Sequence, residues 1–160
     1  MMLIDHLNEL GVEVNARIPK INYGGCAVFA LMVTRQLMKI GLRPRIILAS
    51  YPGSLPLREV VPKLSNIKYQ HNWNDYGLYF CHLGVEFTYE GKKYHYDSNG
   101  CNPAGEELLG YKIVDGWMRI KWVEQIFSVP SNWNNEFNRR NIPELQKIVE
   151  NYLDPTHFGK

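Results

Sequence analysis

The sequence predicts an α+β protein, on the evidence of one long buried helix and one antiparallel hairpin. Residues 26–33 (CAVFALMV) are all apolar, and polar residues then alternate with apolar ones until Gly41 and Pro44. This pattern predicts a helix of about four turns, roughly 22 Å long, that is buried at its start. The stretch LYFCHLGVEFTYEGKKYHYDSNG contains two alternating runs that meet at Glu90-Gly91, which predicts the hairpin. With 160 residues, the chain is expected to form a single domain, 1–160.

The other elements are predicted from apolar spacing and from glycine and proline. A short N-terminal helix that ends at Gly11 is predicted by Leu3, Ile4, Leu7 and Leu10. RPRIILAS predicts a strand, residues 52–79 a long loop with one short helix, and YKIVDG and WMRIKWVEQIF two further strands. A last helix is expected from Pro143 to Leu153, with an apolar face made of Ile142, Leu145, Ile148, Val149 and Tyr152.

The composition indicates a folded protein with neither a nucleic-acid nor a membrane partner. Hydrophobic residues make up 45% of the chain and charged residues 21%, so disorder is not expected. The formal net charge is only +2, without the clustered basic residues typical of nucleic-acid binding. The segment MMLIDHLNEL carries charges where a secretion signal needs an apolar run, and no stretch approaches about 18 apolar residues. A cytoplasmic location is the expectation.

The cysteines predict neither a disulfide scaffold nor a metal site. Cys26, Cys81 and Cys101 form no CxxC pair and no even-numbered framework. A metal site that joined Cys81 or Cys101 to His71 or His95 would need a recognised ligand spacing, which the sequence lacks. No metal and no other cofactor is expected.

Cys26 occupies a position that suits a nucleophile. It follows two glycines and opens the buried helix, where unsatisfied N–H groups and the positive end of the helix dipole favour an anion. Helix N-termini and neighbouring imidazolium groups favour the thiolate form of cysteine. The glycines let the backbone turn tightly and leave the sulfur approachable. The alternative is a structural role, because cysteine is also a common small core residue.

The hairpin supplies a base for this thiol and a carboxylate to orient the base. If Glu90-Gly91 is a two-residue turn, paired positions sum to 181, which places Asp97 diagonal to His82 on one face. A triad of Cys26, His82 and Asp97 is therefore predicted. A bulge at the turn would separate the pair. Taken singly, His82 also fits a surface strand histidine and Asp97 a turn-forming aspartate.

Three segments resemble motifs of the transglutaminase-like superfamily and occur in its order. YGGCAVFA, residues 23–30, resembles its active-site segment Tyr-Gly-Gln-Cys-Trp-Val-Phe-Ala. HLGVE, residues 82–86, resembles its His-x-Trp-x-Glu strand, and YHYDSNG, residues 94–100, resembles the strand that ends in the catalytic aspartate. The resemblance implies a papain-like fold, in which a central helix with the cysteine at its start packs on an antiparallel sheet. It also implies Cys26 as nucleophile, His82 as base and Asp97 as orienter.

The chain departs from these motifs near the sulfur. The family's Gln before the cysteine is Gly25, its Trp after the cysteine is Ala27, and the Trp of its histidine strand is Gly84. Small residues at these positions predict an open approach without the aromatic walls that hold a lysine acceptor and exclude water. Hydrolysis or deamidation is therefore expected in preference to protein cross-linking.

Residues beyond the triad are also candidates for the site. An oxyanion hole would use the Cys26 backbone N–H and a further donor from Asn22, Tyr23 or Asn15. Glu86 is expected on the same face as His82, either as a support for the site or as an exposed strand carboxylate.

The predicted function is that of a thiol-dependent hydrolase or acyltransferase of the peptidase, amidase or deamidase type. Its expected substrate is a peptide or protein amide, or an ester, which the thiolate attacks to form an acyl-enzyme. The alternative is a catalytically inactive module of papain-like fold with a binding or structural role.

Overall fold

The computed structural model describes residues 2–19, 21, 25–64, 82–127 and 141–158, without the side chains of residues 61–64 and 125–127. The helices are α1 (Met2–Arg17), α2 (Cys26–Ile40), α3 (Leu57–Leu64), α4 (Ile120–Phe127) and α5 (Ile142–Tyr152), followed by a 3-10 helix (Pro155–Phe158). The strands are β1 (Arg45–Ser50), β2 (His82–Tyr89), β3 (Lys92–Asp97), β4 (Gly100–Pro103), β5 (Glu107–Leu108) and β6 (Tyr111–Ile113). The α+β class predicted from the sequence is confirmed.

The strands form one antiparallel sheet in the order β4-β3-β2-β1-β6-β5. A two-residue turn joins β2 to β3, and both of its residues have positive φ, 51° at Glu90 and 78° at Gly91. Turns of this kind match the right-handed twist of the flanking strands and therefore fix the pairing. Val85 lies opposite Tyr96, so the predicted register is confirmed and no bulge shifts it.

The main hydrophobic core lies between one face of the sheet and the helices. Helix α2 packs on β1, β2 and β3, and α5 contacts both α1 and α2. Alternate residues of β2 enter this core, and the buried residues of α1 and α5 complete it: Leu83, Val85 and Phe87 with Leu3, Leu7, Leu10, Val14, Leu145, Ile148 and Val149. A smaller cluster covers the opposite face of the sheet and contains Ile47, Ala49 and Leu108.

Several predicted elements are confirmed along the chain. The strand RPRIILAS corresponds to β1, the short helix within residues 52–79 to α3, and YKIVDG to β6. The last predicted helix corresponds to α5. The short strands β4 and β5 were not expected from the sequence.

The predicted end of the first helix at Gly11 is wrong, because α1 continues to Arg17. Gly11 is buried, and a Cβ atom on it would lie only 2.5 Å from the carbonyl oxygen of Ser98. This glycine therefore permits a close approach of the backbone and does not end the helix. Val14, one turn further on, continues the buried face of α1.

The prediction of a strand for WMRIKWVEQIF is also wrong over most of its length. Met118 forms only an isolated bridge to Ile46, and α4 begins at Ile120. Val123 is fully buried, and Ile120 lies on the same side three residues before it. A short apolar run fits both the strand period of two residues and the helix period of 3.6, and packing against α2 favours the helix.

None of the helices in the described ranges is long and apolar enough to cross a membrane.

Candidate active site

Cys26 is the first residue of α2, and its side chain is only 4% exposed. Gly25 precedes it as the N-cap residue, and the Gly25 carbonyl accepts the first helical hydrogen bond from Phe29 N–H at 3.0 Å. The N-terminus of α2 has no side-chain cap, and its first turn contains no acidic residue. The positive end of the helix dipole therefore lies at Cys26 without a negative side chain of the helix to offset it.

His82 and Asp97 form a buried hydrogen bond of 2.9 Å between Nε2 and Oδ2. The side chain of His82 is 1% exposed and that of Asp97 is 7% exposed. Because a carboxylate only accepts, Nε2 of His82 carries the proton of this bond and donates it. The second oxygen of Asp97, Oδ1, accepts from the backbone N–H of Asn99 at 2.9 Å. Both carboxylate oxygens are thus held, which fixes the orientation of the ring.

The second ring nitrogen of His82 is not used by Asp97. This atom, Nδ1, is buried and has no hydrogen bond of good geometry. Burial by itself would lower the pKa of His82, but the hydrogen bond with Asp97 and the nearby Cys26 thiol together raise it from 6.5 to about 9. The thiol therefore lies close enough to act on the ring, although the two groups are not aligned as a formed hydrogen bond. His82 lies beside both of its expected partners.

Glu86 belongs to a second histidine–carboxylate pair, further along the same two strands. Its Oε2 accepts a hydrogen bond of 2.9 Å from Nε2 of His95, which is the residue opposite it in the register. Nδ1 of His95 accepts from the backbone N–H of Gly105 at 3.3 Å, which leaves Nε2 as the donor to Glu86. The Glu86 side chain is only 15% exposed, so it is not an exposed strand carboxylate. The register alone, which pairs positions 86 and 95, was the signal for this pair.

Asn15 does not fit the expected role of an oxyanion donor. Its amide nitrogen donates to the Gly11 carbonyl at 3.0 Å and to the Ser98 carbonyl at 2.7 Å, so both amide hydrogens are used. Asn15 instead ties α1 to the turn that follows Asp97. The other two candidates, Asn22 and Tyr23, lie outside the described residues.

A second asparagine of α1, Asn8, also supports this turn. Its Oδ1 accepts from the backbone N–H of Cys101 at 2.8 Å. Sequence reasoning missed these supports because 83 residues separate Asn15 from Ser98 and 93 separate Asn8 from Cys101. No local pattern marks contacts over such distances.

The small residues around the site do not leave an open approach, so this expectation is wrong. Gly25, Ala27 and Gly84 are all buried. A Cβ atom on Gly84 would overlap Cδ2 of Leu108 and would lie 2.9 Å from the carbonyl oxygen of Tyr96. Leu108 therefore fills the space that a large side chain would occupy. The reason for preferring water over an amine acceptor at these positions is removed.

Within the described ranges, no group of three His, Cys, Asp or Glu side chains is placed to hold a metal ion. Cys81 and His71 lie outside those ranges. Cys101 is a free thiol, and burial raises its pKa to about 12, which disfavours the thiolate that a metal would require.

Comparisons with protein-family models, with curated proteins and with solved structures found no match to this chain. Its function is therefore inferred from the chemistry of the site.

Proposed function

We propose that the chain is a cysteine-dependent hydrolase or acyltransferase that acts on an amide or ester through Cys26, His82 and Asp97. The observation that carries this proposal is the buried 2.9 Å hydrogen bond between His82 and Asp97, with the second ring nitrogen buried and unpartnered and with Cys26 among the groups that raise the pKa of His82. A structural cysteine needs no imidazole beside it. A cysteine at a helix start, a histidine near it and a carboxylate behind the histidine are the parts that a thiol nucleophile requires.

The same arrangement supports a papain-like fold of the transglutaminase-like type. Helix α2 carries the cysteine at its first residue and packs on the central strands β1 and β2 of an antiparallel sheet. The histidine and the aspartate come from the adjacent strands β2 and β3. This agrees with the order of the three motifs in the sequence.

The first half of the proposed reaction forms an acyl-enzyme. Because the pKa of His82 is about 9, its ring is protonated at neutral pH and its charge stabilises the Cys26 thiolate. The thiolate attacks the carbonyl carbon, and the carbonyl electron pair moves to oxygen, where the N–H of Cys26 donates to it. The bond to the leaving amine or alcohol then breaks as His82 gives its proton to that group. A thioester remains on Cys26.

The second half releases the acyl group. Neutral His82 takes a proton from water or from an amine as that group attacks the thioester carbon. The C–S bond breaks, and the sulfur leaves as a thiolate beside the restored imidazolium. Asp97 holds the ring throughout and exchanges no proton.

Alanine substitutions of the three residues test this proposal. The assay is the release of ammonia or free amine from a peptide library, run with and without a primary amine. We expect losses of about 10³-fold or more in Cys26→Ala and His82→Ala, and a smaller loss in Asp97→Ala. Cys101→Ala is the matched control and should keep its activity. Equal activity of Cys26→Ala and Cys101→Ala would refute the nucleophile.

The burial of the site supports the second candidate, a catalytically inactive binding or structural module. Cys26 and His82 are 4% and 1% exposed, so a substrate reaches the sulfur only if neighbouring groups move. Alkylation by iodoacetamide below pH 7 separates the two candidates, since an enzyme requires Cys26 to react faster than Cys101. A reactive Cys26 without turnover of any amide or ester would favour the module.

A further inference from the structure

A cavity of about 510 Å³ lies where the loop after α2 meets the ends of β2 and β3. Its lining includes Arg43, Arg45, Glu86 and Lys93. Arg45 and Glu86 face each other across β1 and β2, four residues from the pair formed by Ala49 and His82. Four residues of strand span roughly 13 Å, so the cavity is separate from the candidate active site.

The positive charges of this cavity have no acidic partner among the residues that the structure describes. Arg43, Arg45 and Lys93 are exposed, and no carboxylate in the described part of the chain lies within ion-pair distance of them. The acidic residue of the lining is Glu86, and its carboxylate is held by His95 at 2.9 Å. Three cationic groups therefore share a concave site with one carboxylate that already has a partner.

One of these cations has an aromatic partner before any ligand binds. The guanidinium carbon of Arg45 lies 3.8 Å from the centre of the Trp117 ring, a cation–π contact that restricts the movement of the guanidinium group. A guanidinium held in this way loses less freedom when it binds a phosphate or carboxylate through two parallel hydrogen bonds.

The C-terminus of α2 lies at this cavity, and it repels an anion less strongly than a helix C-terminus with unpaired carbonyl groups would. Helix C-termini carry partial negative charge from their free carbonyl groups. Here the N–H of Gly41 donates to the Met38 carbonyl, and the N–H of Leu42 donates to the Leu37 carbonyl, each at 3.0 Å. Two of the last carbonyl groups are thus paired with backbone donors and not left to face the cavity.

We propose that this cavity binds a compact polyanion with two or more phosphate or carboxylate groups, held by Arg43, Arg45 and Lys93. A volume of about 510 Å³ lies in the range of small-molecule sites. The proposal requires no step of the catalytic mechanism and goes beyond the proposed function.

Lys92 offers a matched control for Lys93. Successive strand residues point to opposite faces, and Lys92, whose ammonium lies over the Tyr94 ring at 5.6 Å, is not among the residues that line the cavity. Lys92→Ala and Lys93→Ala remove the same charge from adjacent positions. A difference between them therefore reports on the cavity and not on the net charge of the protein.

The test is calorimetric titration of the full chain with tripolyphosphate, pyrophosphate and citrate at low ionic strength. We expect binding with a stoichiometry of one that weakens as salt is added. Arg43→Ala, Arg45→Ala and Lys93→Ala should each weaken it about fivefold or more, and Lys92→Ala should leave it unchanged. Tighter binding of the phosphates identifies a phosphate ligand, and tighter binding of citrate a carboxylate ligand.

Two results would overturn the proposal. One is the absence of binding by all three anions at millimolar concentration. The other is an equal loss of affinity in Lys92→Ala and Lys93→Ala, which would indicate attraction to overall charge. Arg43 and Lys93 are exposed, so their variants are expected to fold like the parent protein.

Discussion

Burial and neighbouring charges have opposite effects on the pKa of His82. Burial favours the neutral ring, while the Asp97 carboxylate and the Cys26 thiol favour the charged ring, and the outcome is a pKa of about 9. A histidine with a pKa above neutral serves as a proton donor to a leaving group and as a counter-charge to a thiolate. It accepts a proton only after it has given one away.

The first residue-scale prediction concerns the pH dependence of activity. We expect kcat/KM to fall as the pH rises through about 9, because His82 then loses the proton that the leaving group needs. In Asp97→Asn the midpoint should move down towards 6.5, because the hydrogen bond with Asp97 is the first of the effects that raise the pKa. The measurement is a pH–rate profile, with NMR titration of the His82 ring as an independent readout. A wild-type ring that titrates at 6.5 or below would contradict it.

The same shift has a consequence for stability. A pKa that is higher in the folded protein than in the unfolded chain means that the charged ring stabilises the fold. This contribution is fully present below about pH 6.5 and is lost as the pH rises through about 9. The free energy of unfolding should therefore decrease between these values in the wild type, and the decrease should be smaller in Asp97→Asn.

At the scale of elements, α1 supports the turn that carries the end of β3. Gly11 allows the Ser98 carbonyl to approach the helix, and the side chains of Asn15 and Asn8 hold the backbone on either side of that turn. Asp97 lies directly before it. A helix more than 80 residues away in the sequence therefore helps to position the carboxylate.

The prediction at this scale is that Gly11→Ala destabilises the protein. In a helix interior, alanine is normally more stabilising than glycine by about 1 kcal/mol. At this position, however, its Cβ would lie 2.5 Å from the Ser98 carbonyl oxygen, so we expect a net loss of about 1–3 kcal/mol. Urea unfolding measures the change. Val12→Ala, at a helix position that is 72% exposed, is the control, and the higher helix propensity of alanine should raise its stability by about 0.5 kcal/mol. A Gly11→Ala variant that is more stable than the wild type would show that the turn does not pack on α1.

At the scale of the whole molecule, the edge strand β5 covers part of the sheet face that lies opposite the main hydrophobic core. Strand β5 lies at the end of the sheet, yet Leu108 reaches Gly84 on β2 and packs with Ile47 and Ala49. The sheet therefore curls over the face on which Leu108 covers Gly84. The absence of a side chain at Gly84 is what allows this.

The prediction here is that Leu108→Ala costs about 2 kcal/mol of stability. Loss of a buried leucine leaves a cavity, and the small size of this cluster places the cost at the low end of the usual range. Leu109→Ala is the matched control, since Leu109 is 45% exposed and should change stability little. Both are measured by denaturant unfolding. Equal losses in the two variants would show that Leu108 does not hold the curled sheet.

The sequence by itself determined the elements whose signals are local. Apolar spacing predicted α2 and α5, and the Glu90-Gly91 turn fixed a register that placed His82 next to Asp97. Such features depend on residues a few positions apart, or on one turn that sets the register of the two strands it joins. The hydrogen bond of the candidate site could therefore be predicted from the chain alone.

Only the tertiary structure decided the features that depend on packing between distant segments. Gly11 is a site of close contact with Ser98 and does not end α1. The run that contains Val123 forms a helix, and Leu108 fills the space beside Gly84. Asn15 bound the Ser98 carbonyl and was no longer available as a donor. In each case the local pattern was compatible with two outcomes. A close contact with a distant segment of the chain determined which outcome formed, because burial and backbone hydrogen bonding at that contact outweigh the intrinsic propensity of the local sequence.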